Sequence, residues 1–423
     1  MATYYIDPQN GKVGNSGLSE EEPLITNKGL KVKGGDAVLF KRGSFIRDVL
    51  WNVNGEEGHP ILYGAYGEGS NPVFCGSMDV SREEDWVEVE TGIWKCVYPL
   101  MTEVCNFIFD GARCGVLQWE KSDLKHQGDW WDSGWGEDIQ AAEDHEVLIC
   151  CSGNPAKYYK QIECVIKEHK QLAQTGHDMI IQDLTFCNNT HGIAGEDISR
   201  NLVISHCRFE YIGGCVWNKQ RKIRYGNAVE CWNGAENVVV DHCTFYEIYD
   251  SGVTHQGGAK CQAADGFWIR DNIFIACGMA AYEQRDVLPK KGAFVNNVCL
   301  DAGCGFSHFR TSLPRNSEIW PQPMGHHIFL WRIEKPTEGS CFVIENNLFM
   351  DAPYGTAIYS IICKEAEDQL IINDNNYRME KCALFNRLHG LNYSDFKEYV
   401  LKTGKEDQSR EVKYSSSCEI TAL

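Results

Sequence analysis

VVVDHCTF, residues 238–245, is one of six versions of a single phrase. The others are MIIQDLTF (179–186), LVISHCRF (202–209), FWIRDNIF (267–274), AFVNNVCL (293–300) and FVIENNLF (342–349). Each is a short apolar strand, a polar pair and an apolar anchor, followed by a bend of small residues and a second strand. The anchors read Phe186, Phe209, Phe245, Phe274, Leu300 and Phe349, and the tightest spacings are 23 and 26 residues. Such a period belongs to a solenoid coil rather than a propeller blade. Strands of four to seven residues joined by bends leave no room for crossover helices. Each unit buries its apolar face only by stacking on its neighbour, which predicts an all-β, right-handed parallel β-helix.

The second strands point to the working surface. They are GIAGED (192–197), CVWNKQ (215–220), GVTHQG (252–257), AAYEQR (280–285), GFSHFR (305–310) and TAIYSI (356–361). Aligned on the anchors, one column reads Glu196, Asn218, His255, Glu283, His308, Tyr359. Parallel rungs stack about 4.8 Å apart, so this column would be a continuous ionisable stripe. Ala194, Ala281, Phe306 and Ala357 share its face two residues away, so alternation alone leaves the facing open. A purely structural stacking ladder fits better at the polar pair, where Asp183, His206, His242, Asp271, Asn297 and Asn346 align.

Composition narrows the partners. The 423 residues carry 40 Lys and Arg against 59 Asp and Glu, a net charge of −19. That balance argues against nucleic acid and anionic membranes, and mildly against polyanionic glycans. No apolar run reaches the roughly 18 residues of a membrane-spanning helix. MATYYIDPQNG at the start lacks the charged and apolar regions of a signal peptide. Among the twenty cysteines, Cys207 and Cys243 occupy a repeat slot that elsewhere holds Leu184, Asn272, Val298 and Asn347. Cysteine in a Leu or Val slot behaves as a small hydrophobe. Cys150 and Cys151 are vicinal and no CxxC occurs, which argues against zinc. This usage suits a reducing compartment, so a cytoplasmic location is expected, or a secreted one if a leader has been removed.

The chain reads as a single domain, 1–423. Residues 1–100 form an N-terminal cap and first coils, 101–178 longer strands with the loop HQGDWWDSGWGED (126–138), 179–361 the regular coils, and 362–423 the last coils with a capping helix. Ser394 is the expected N-cap of that helix and Gly404 its terminator. Insertions at 218–237 and 310–341 interrupt the coils beside the ionisable column. Long loops on a regular scaffold commonly carry binding function.

YYIDPQNGKVGNSGLSEEEPL (4–24), LKVKGGDAVLFKRGSF (30–45) and PILYGAYGEGSNPV (60–73) resemble the opening of right-handed parallel β-helix proteins among bacterial carbohydrate-active enzymes. RYGNAVECW, YDSGVTHQG, AYEQ and GFSHFR resemble that family's central segments, and TGKEDQS its closing motif. The resemblance implies a carbohydrate substrate and a glycoside hydrolase or polysaccharide lyase. It lapses at 310–341, which contains Trp320 and His326–His327. That stretch is expected to set specificity.

Glycoside hydrolysis requires two carboxyl groups, about 5–5.5 Å apart for retention or 6.5–9.5 Å for inversion. One or two rungs supply about 4.8 or 9.6 Å. The catalytic candidates are Glu283 and Asp250, the expected carboxyl pair, with Glu230 close behind. Glu230 has apolar neighbours that would raise its pKa, but could be a solvent-facing strand residue. Asp250 lies in the bend YDSG, where Asp often bonds only its own turn. Glu283 stands between two histidines, an arrangement that also suits a buried ion pair. His255, His308, Arg310, Gln256, Gln284 and Asn218 are candidates to bind sugar hydroxyls. Trp217, Trp232 and Trp320 are candidate stacking platforms, each equally suited to packing a core.

The leading expectation is a hydrolase without cofactor or metal, exo-acting and, by analogy, inverting, with an oligo- or polysaccharide as partner. A lyase would instead abstract a proton beside a uronate, using His255, His308, Arg310 or the Lys219–Arg224 run. A non-catalytic carbohydrate-binding solenoid would place aromatic and amide groups on the face without a stacked carboxyl pair.

Overall fold

The computed structural model describes residues 1–135, 144–167, 169–308, 324–380, 382, 386–406 and 410–411. Three long sheets run along a parallel β-helix. Sheet one has ten strands, from Thr3–Ile6 to Leu370–Asn373; sheet two has ten, from Phe45–Ile46 to Arg410–Glu411; sheet three has nine, from Gln171–Gln174 to Leu391–Tyr393. A coil passes through them in order, as in Ala235–Asp241, Thr244–Tyr246 and Ser251–Gln256. Pairing between coils is parallel, apart from the final hairpin of sheet three.

The repeated phrase forms sheet one, a bend and sheet two. At the bend, one residue per coil takes the left-handed conformation: Asp183, His206, His242, Asp271, Asn296, Asn346 and Asp374 all have φ between 51° and 58°. Asp and Asn tolerate that region best, which explains the polar pair. This column projects outward, and His206 and His242 stack with ring centroids 4.8 Å apart. The structural ladder expected here therefore lies one residue further on. Leu184, Cys207, Cys243, Asn272, Asn297, Asn347 and Asn375 point inward, all buried. Two of the aligned pairs needed correction. Asn296 rather than Asn297 makes the fifth bend, and Cys299 rather than Leu300 is the fifth anchor, pairing with Phe274 and Phe349. A slip of one residue exchanges inside for outside, so Leu300 is only half-buried while Cys299 is enclosed.

Along the core, Phe74, Phe186, Phe209, Phe245 and Phe274 stack ring on ring, with centroids 5.8, 5.5, 5.0 and 4.5 Å apart. Each buried ring contributes about 2–3 kcal/mol by removing apolar surface from water. Cys207 and Cys243 are buried in this core, as their repeat slot implied.

Three excursions leave the same corner, between sheets two and three. The largest, residues 77–166, folds into an antiparallel sheet of four strands and a mixed sheet of five around its own core of Trp86, Phe107, Trp130 and Trp135. It begins within the stretch read as cap and first coils. The second is the antiparallel hairpin Cys215–Asn218 with Ile223–Tyr225. A disulfide joins Cys105 of the first excursion to Cys215 of the second, so these two cysteines depart from the expected reduced state. The third excursion runs from residue 301 to the strand His326–Trp331. At the C-terminus the capping helix Phe396–Thr403 ends at Gly404 (φ 64°). Its N-cap is Asp395, which accepts the Glu398 N–H at 2.8 Å, in place of Ser394. Among the described residues no helix is long and apolar enough to cross a membrane.

Candidate functional site

Sheet three carries the site, and its register replaces the column read from the sequence. Glu230 pairs with Thr254, Thr254 with Glu283, Glu283 with Phe329, Phe329 with Tyr359, and Tyr359 with Arg387. Glu283 and Tyr359 keep their expected places. The His255 rung shifts by one residue to Thr254, and two further rungs change because longer turns separate sheet two from sheet three there. Val229–Trp232 supplies the rung assigned to Asn218, and His326–Trp331 the rung assigned to His308. Both true strands lie inside stretches read as insertions. The apolar runs AVECW and HHIFLW were the available signal for them.

Glu230 and Glu283 thus stand two rungs apart in one column, about 9.6 Å by rung spacing, with Thr254 between them. Glu283 is buried and held by three donors. Trp331 Nε1 donates to one carboxyl oxygen at 2.7 Å, and Thr254 Oγ1 and Ser251 Oγ donate to the other at 3.1 and 3.2 Å. Asn227 Nδ2 donates to Glu230 at 2.5 Å, while Asn227 Oδ1 accepts the Ser251 N–H at 3.0 Å. Asn227 and Ser251 therefore tie the two carboxyl groups into one network. His191 Nδ1 lies 3.6 Å from Glu230 but accepts the Asn227 N–H at 3.1 Å. His191 thus meets Glu230 with the nitrogen that accepts from the backbone.

Asp250 sits at the foot of the strand Ser251–Gln256, where it accepts the Gly226 N–H at 2.8 Å and anchors the exit of the hairpin. The Tyr225 hydroxyl is pushed up to about 12, first by burial and then by Glu103, Glu230 and Asp250. These carboxylates therefore crowd one end of the column. The other end is aromatic. Phe329 and Trp331 stack at 5.4 Å, His326 and Tyr359 at 4.4 Å, and Arg387 lies over Tyr359 at 5.6 Å. Arg285 lies between the Trp232 and Trp331 rings, 5.7 and 5.3 Å from their centroids. An acidic half and an aromatic half thus share one face. Among the described residues no group of three or more His, Cys, Asp or Glu side chains is arranged to hold a metal ion.

Several other expected binding residues lie elsewhere. His255 and Gln284 belong to the inward column, fully buried, where Gln284 Nε2 donates to His255 Nδ1 at 2.8 Å. They hold the interior and do not reach the face. His308 is buried in the third excursion, stacked on Tyr354 at 4.8 Å. Asn218 caps its own hairpin turn, accepting the Arg221 N–H at 2.8 Å. Gln256 and Trp232 do reach the face, paired two residues along from Thr254 and Glu230, whereas Trp217 is exposed on the hairpin. Arg310 and Trp320 lie outside the described residues. Ser251, Thr254, Asn227, Phe329 and Trp331 were missed, because only the register brings them to the carboxyl groups.

The buried histidines make stability depend on pH. Burial lowers the His255 pKa to about 4 and the His327 pKa to about 3. An unfolded chain takes up these protons near pH 6.5, so stability present above that pH is lost as pH falls toward 4. His255 alone accounts for about 3 kcal/mol of this loss. Denaturant midpoints measured from pH 7.5 to 4.5 should fall, and more steeply in the parent than in His255→Gln. Parallel slopes would show that His255 does not contribute.

No protein-family model matches the sequence, and no curated protein matches it. Among solved structures, XylC in complex with xylose superposes with a TM-score of 0.58 at 10% identity, over 91% of this chain and 63% of that one. The chain thus spans less than two thirds of XylC's length. A protein described as a glycoside hydrolase superposes with a TM-score of 0.51 at 10% identity, over 96% of this chain and 99% of the other. Both are likenesses of fold.

Proposed function

We propose that the protein is an inverting glycoside hydrolase acting on an oligo- or polysaccharide, with Glu230 and Glu283 as its carboxyl pair. The observation that carries this reading is their placement in one outward column, two rungs apart, with only Thr254 between them. Two rungs is close to the spacing that leaves room for a water molecule beside the sugar. In this reading Glu230 protonates the glycosidic oxygen as the bond to the anomeric carbon breaks. Glu283 takes the proton of the water that attacks that carbon from the opposite face. Trp331, Thr254 and Ser251 fix the Glu283 carboxyl in one orientation, which is the preorganisation such a base needs. The aromatic half offers rings to the apolar faces of neighbouring sugars.

The likenesses to a xylose complex and to a glycoside hydrolase support a carbohydrate substrate. The hairpin Cys215–Tyr225 beside Glu230 supports a groove closed at that end, and hence exo-action. A lyase is less well supported. Its proposed bases His255 and His308 are buried away from the column, and Arg224 is buried against the carbonyls of Gly214 and Cys105.

A time course on neutral and uronate-containing oligosaccharides tests the proposal. New reducing ends without ultraviolet absorbance, released first as the inverted anomer, are expected. Absorbance from an unsaturated uronate would transfer the case to β-elimination. No turnover of any glycan would leave a binding solenoid and overturn the reading.

A further inference from the structure

A second cleft, of about 450 Å³, opens where the 77–166 excursion meets the coils. It shares no lining residue with the carboxyl column. From the excursion come Phe109, Arg113, Gln127, Tyr158 and Tyr159; from the coils come Tyr211 and Glu247, and from the third excursion Phe306. Phe109 and Tyr159 stack at 4.1 Å, and Tyr158 meets Tyr159 edge-on at 4.8 Å. The Glu247 carboxyl accepts the Phe306 N–H at 2.8 Å with one oxygen. Among the described residues no other group donates to that carboxyl and no cation pairs with it. Burial raises its pKa to about 7. Gln127 Nε2 donates to the Tyr159 hydroxyl and to Cys151 Sγ, both at 2.9 Å, and so fixes the Tyr159 ring against which Tyr158 rests.

We infer that this cleft is a second saccharide-binding site, which takes a neutral pyranose without cleaving it. Its volume suits one or two sugar rings. The exposed Tyr158 ring, held edge-on against Tyr159, offers its face to the C–H face of a pyranose, while the second oxygen of Glu247 offers an acceptor to a hydroxyl at one edge. Glu247 offsets the charge of Arg113 in the lining, so the cleft carries no excess positive charge to draw an anionic sugar. One carboxyl group with no second beside it cannot supply both the acid and the base of hydrolysis. The choice of sugar as ligand rests on the proposed function; the cleft itself does not.

The test uses the full chain carrying Glu283→Gln, titrated calorimetrically with glucose, galactose, xylose, N-acetylglucosamine and glucuronate. Saturable binding of a neutral sugar is expected, weakened about tenfold by adding Tyr158→Ala or Glu247→Ala. Tyr158 is 53% exposed, so its truncation should leave the fold intact, as unfolding curves will verify. Bound sugar should also slow alkylation of the exposed Cys304 thiol, which lines the cleft, and should lose that effect in Tyr158→Ala. No saturable binding, binding indifferent to both substitutions, or preference for glucuronate would overturn the inference. The separate proposal is tested by turnover with Glu283 intact. Tyr158→Ala should cleave short oligosaccharides like the parent, and absence of any glycan turnover would refute hydrolysis while leaving the binding result standing.

Discussion

Glu283→Gln should lower kcat about a thousandfold and leave KM within a few-fold of the parent. The size is that of a lost general base. Glutamine keeps an acceptor for Trp331 Nε1, and the Ser251 and Thr254 hydroxyls can rotate to accept from its amide, so the site should stay assembled. The loss would therefore report proton transfer and not collapse of the groove. Glu230→Gln should behave in the same way for glycosides with poor leaving groups, and much less severely for aryl glycosides that need little acid help. Steady-state kinetics on both substrate types separate the two roles. An E283Q variant within about tenfold of parental kcat would remove Glu283 from catalysis.

Asn297→Ala should cost about 4 kcal/mol of stability, the largest single loss expected in the coils. Asn297 Oδ1 accepts from the Asn272 backbone N–H at 3.0 Å and its side-chain amide at 3.1 Å. Its Nδ2 donates to the Ile269 carbonyl at 3.1 Å and to Asn347 Oδ1 at 3.2 Å. Alanine strands the Asn272 donors and the Ile269 carbonyl inside the core, where each unsatisfied group costs about 1–3 kcal/mol. The ladder continues through Asn347 and Asn375 to Glu406, so the damage spreads beyond one rung. His206→Ala, on the exposed bend column, is the control and should change stability by about 0.5 kcal/mol at most. Chemical denaturation of both variants makes the comparison; a loss below about 1 kcal/mol for N297A would mean the ladder is satisfied by other means.

The contrast between these two columns shows what could be read in advance. Phe186, Phe209, Phe245 and Phe274 repeat at coil spacing because every coil must fill the same interior slot, so the solenoid was legible. The ladder was nearly so, but VNNVCL holds two asparagines in succession, and only backbone pairing shows that Asn296 bends while Asn297 points inward. Glu283 was legible for a related reason: the Ser251–Gln256 and Ala280–Arg285 strands follow their anchors at equal distance. Glu230 and Trp331 were displaced because the 215–225 hairpin and the 301–325 excursion lengthen the corner before their strands. His255 misled because a polar residue in a strand looks the same in sequence whether it faces water or, as here, a buried glutamine amide. The disulfide between Cys105 and Cys215 joins positions 110 residues apart, and no spacing among twenty cysteines singled that pair out.

The rung that separates Glu230 from Glu283 makes the scaffold a ruler with discrete marks. In a loop-built site, the gap between two acids can drift by fractions of an ångström as neighbouring residues change. Here it moves only in whole steps of about 4.8 Å, because each carboxyl is fixed to a strand whose neighbours set its height. Shifting Glu230 onto the Thr254 rung would shorten the gap to one step, the distance associated with a covalent intermediate and retained configuration. If the proposed hydrolysis holds, the stereochemical outcome of such a solenoid is set by an integer, and its evolution between outcomes would proceed by exchange of rungs and not by gradual adjustment.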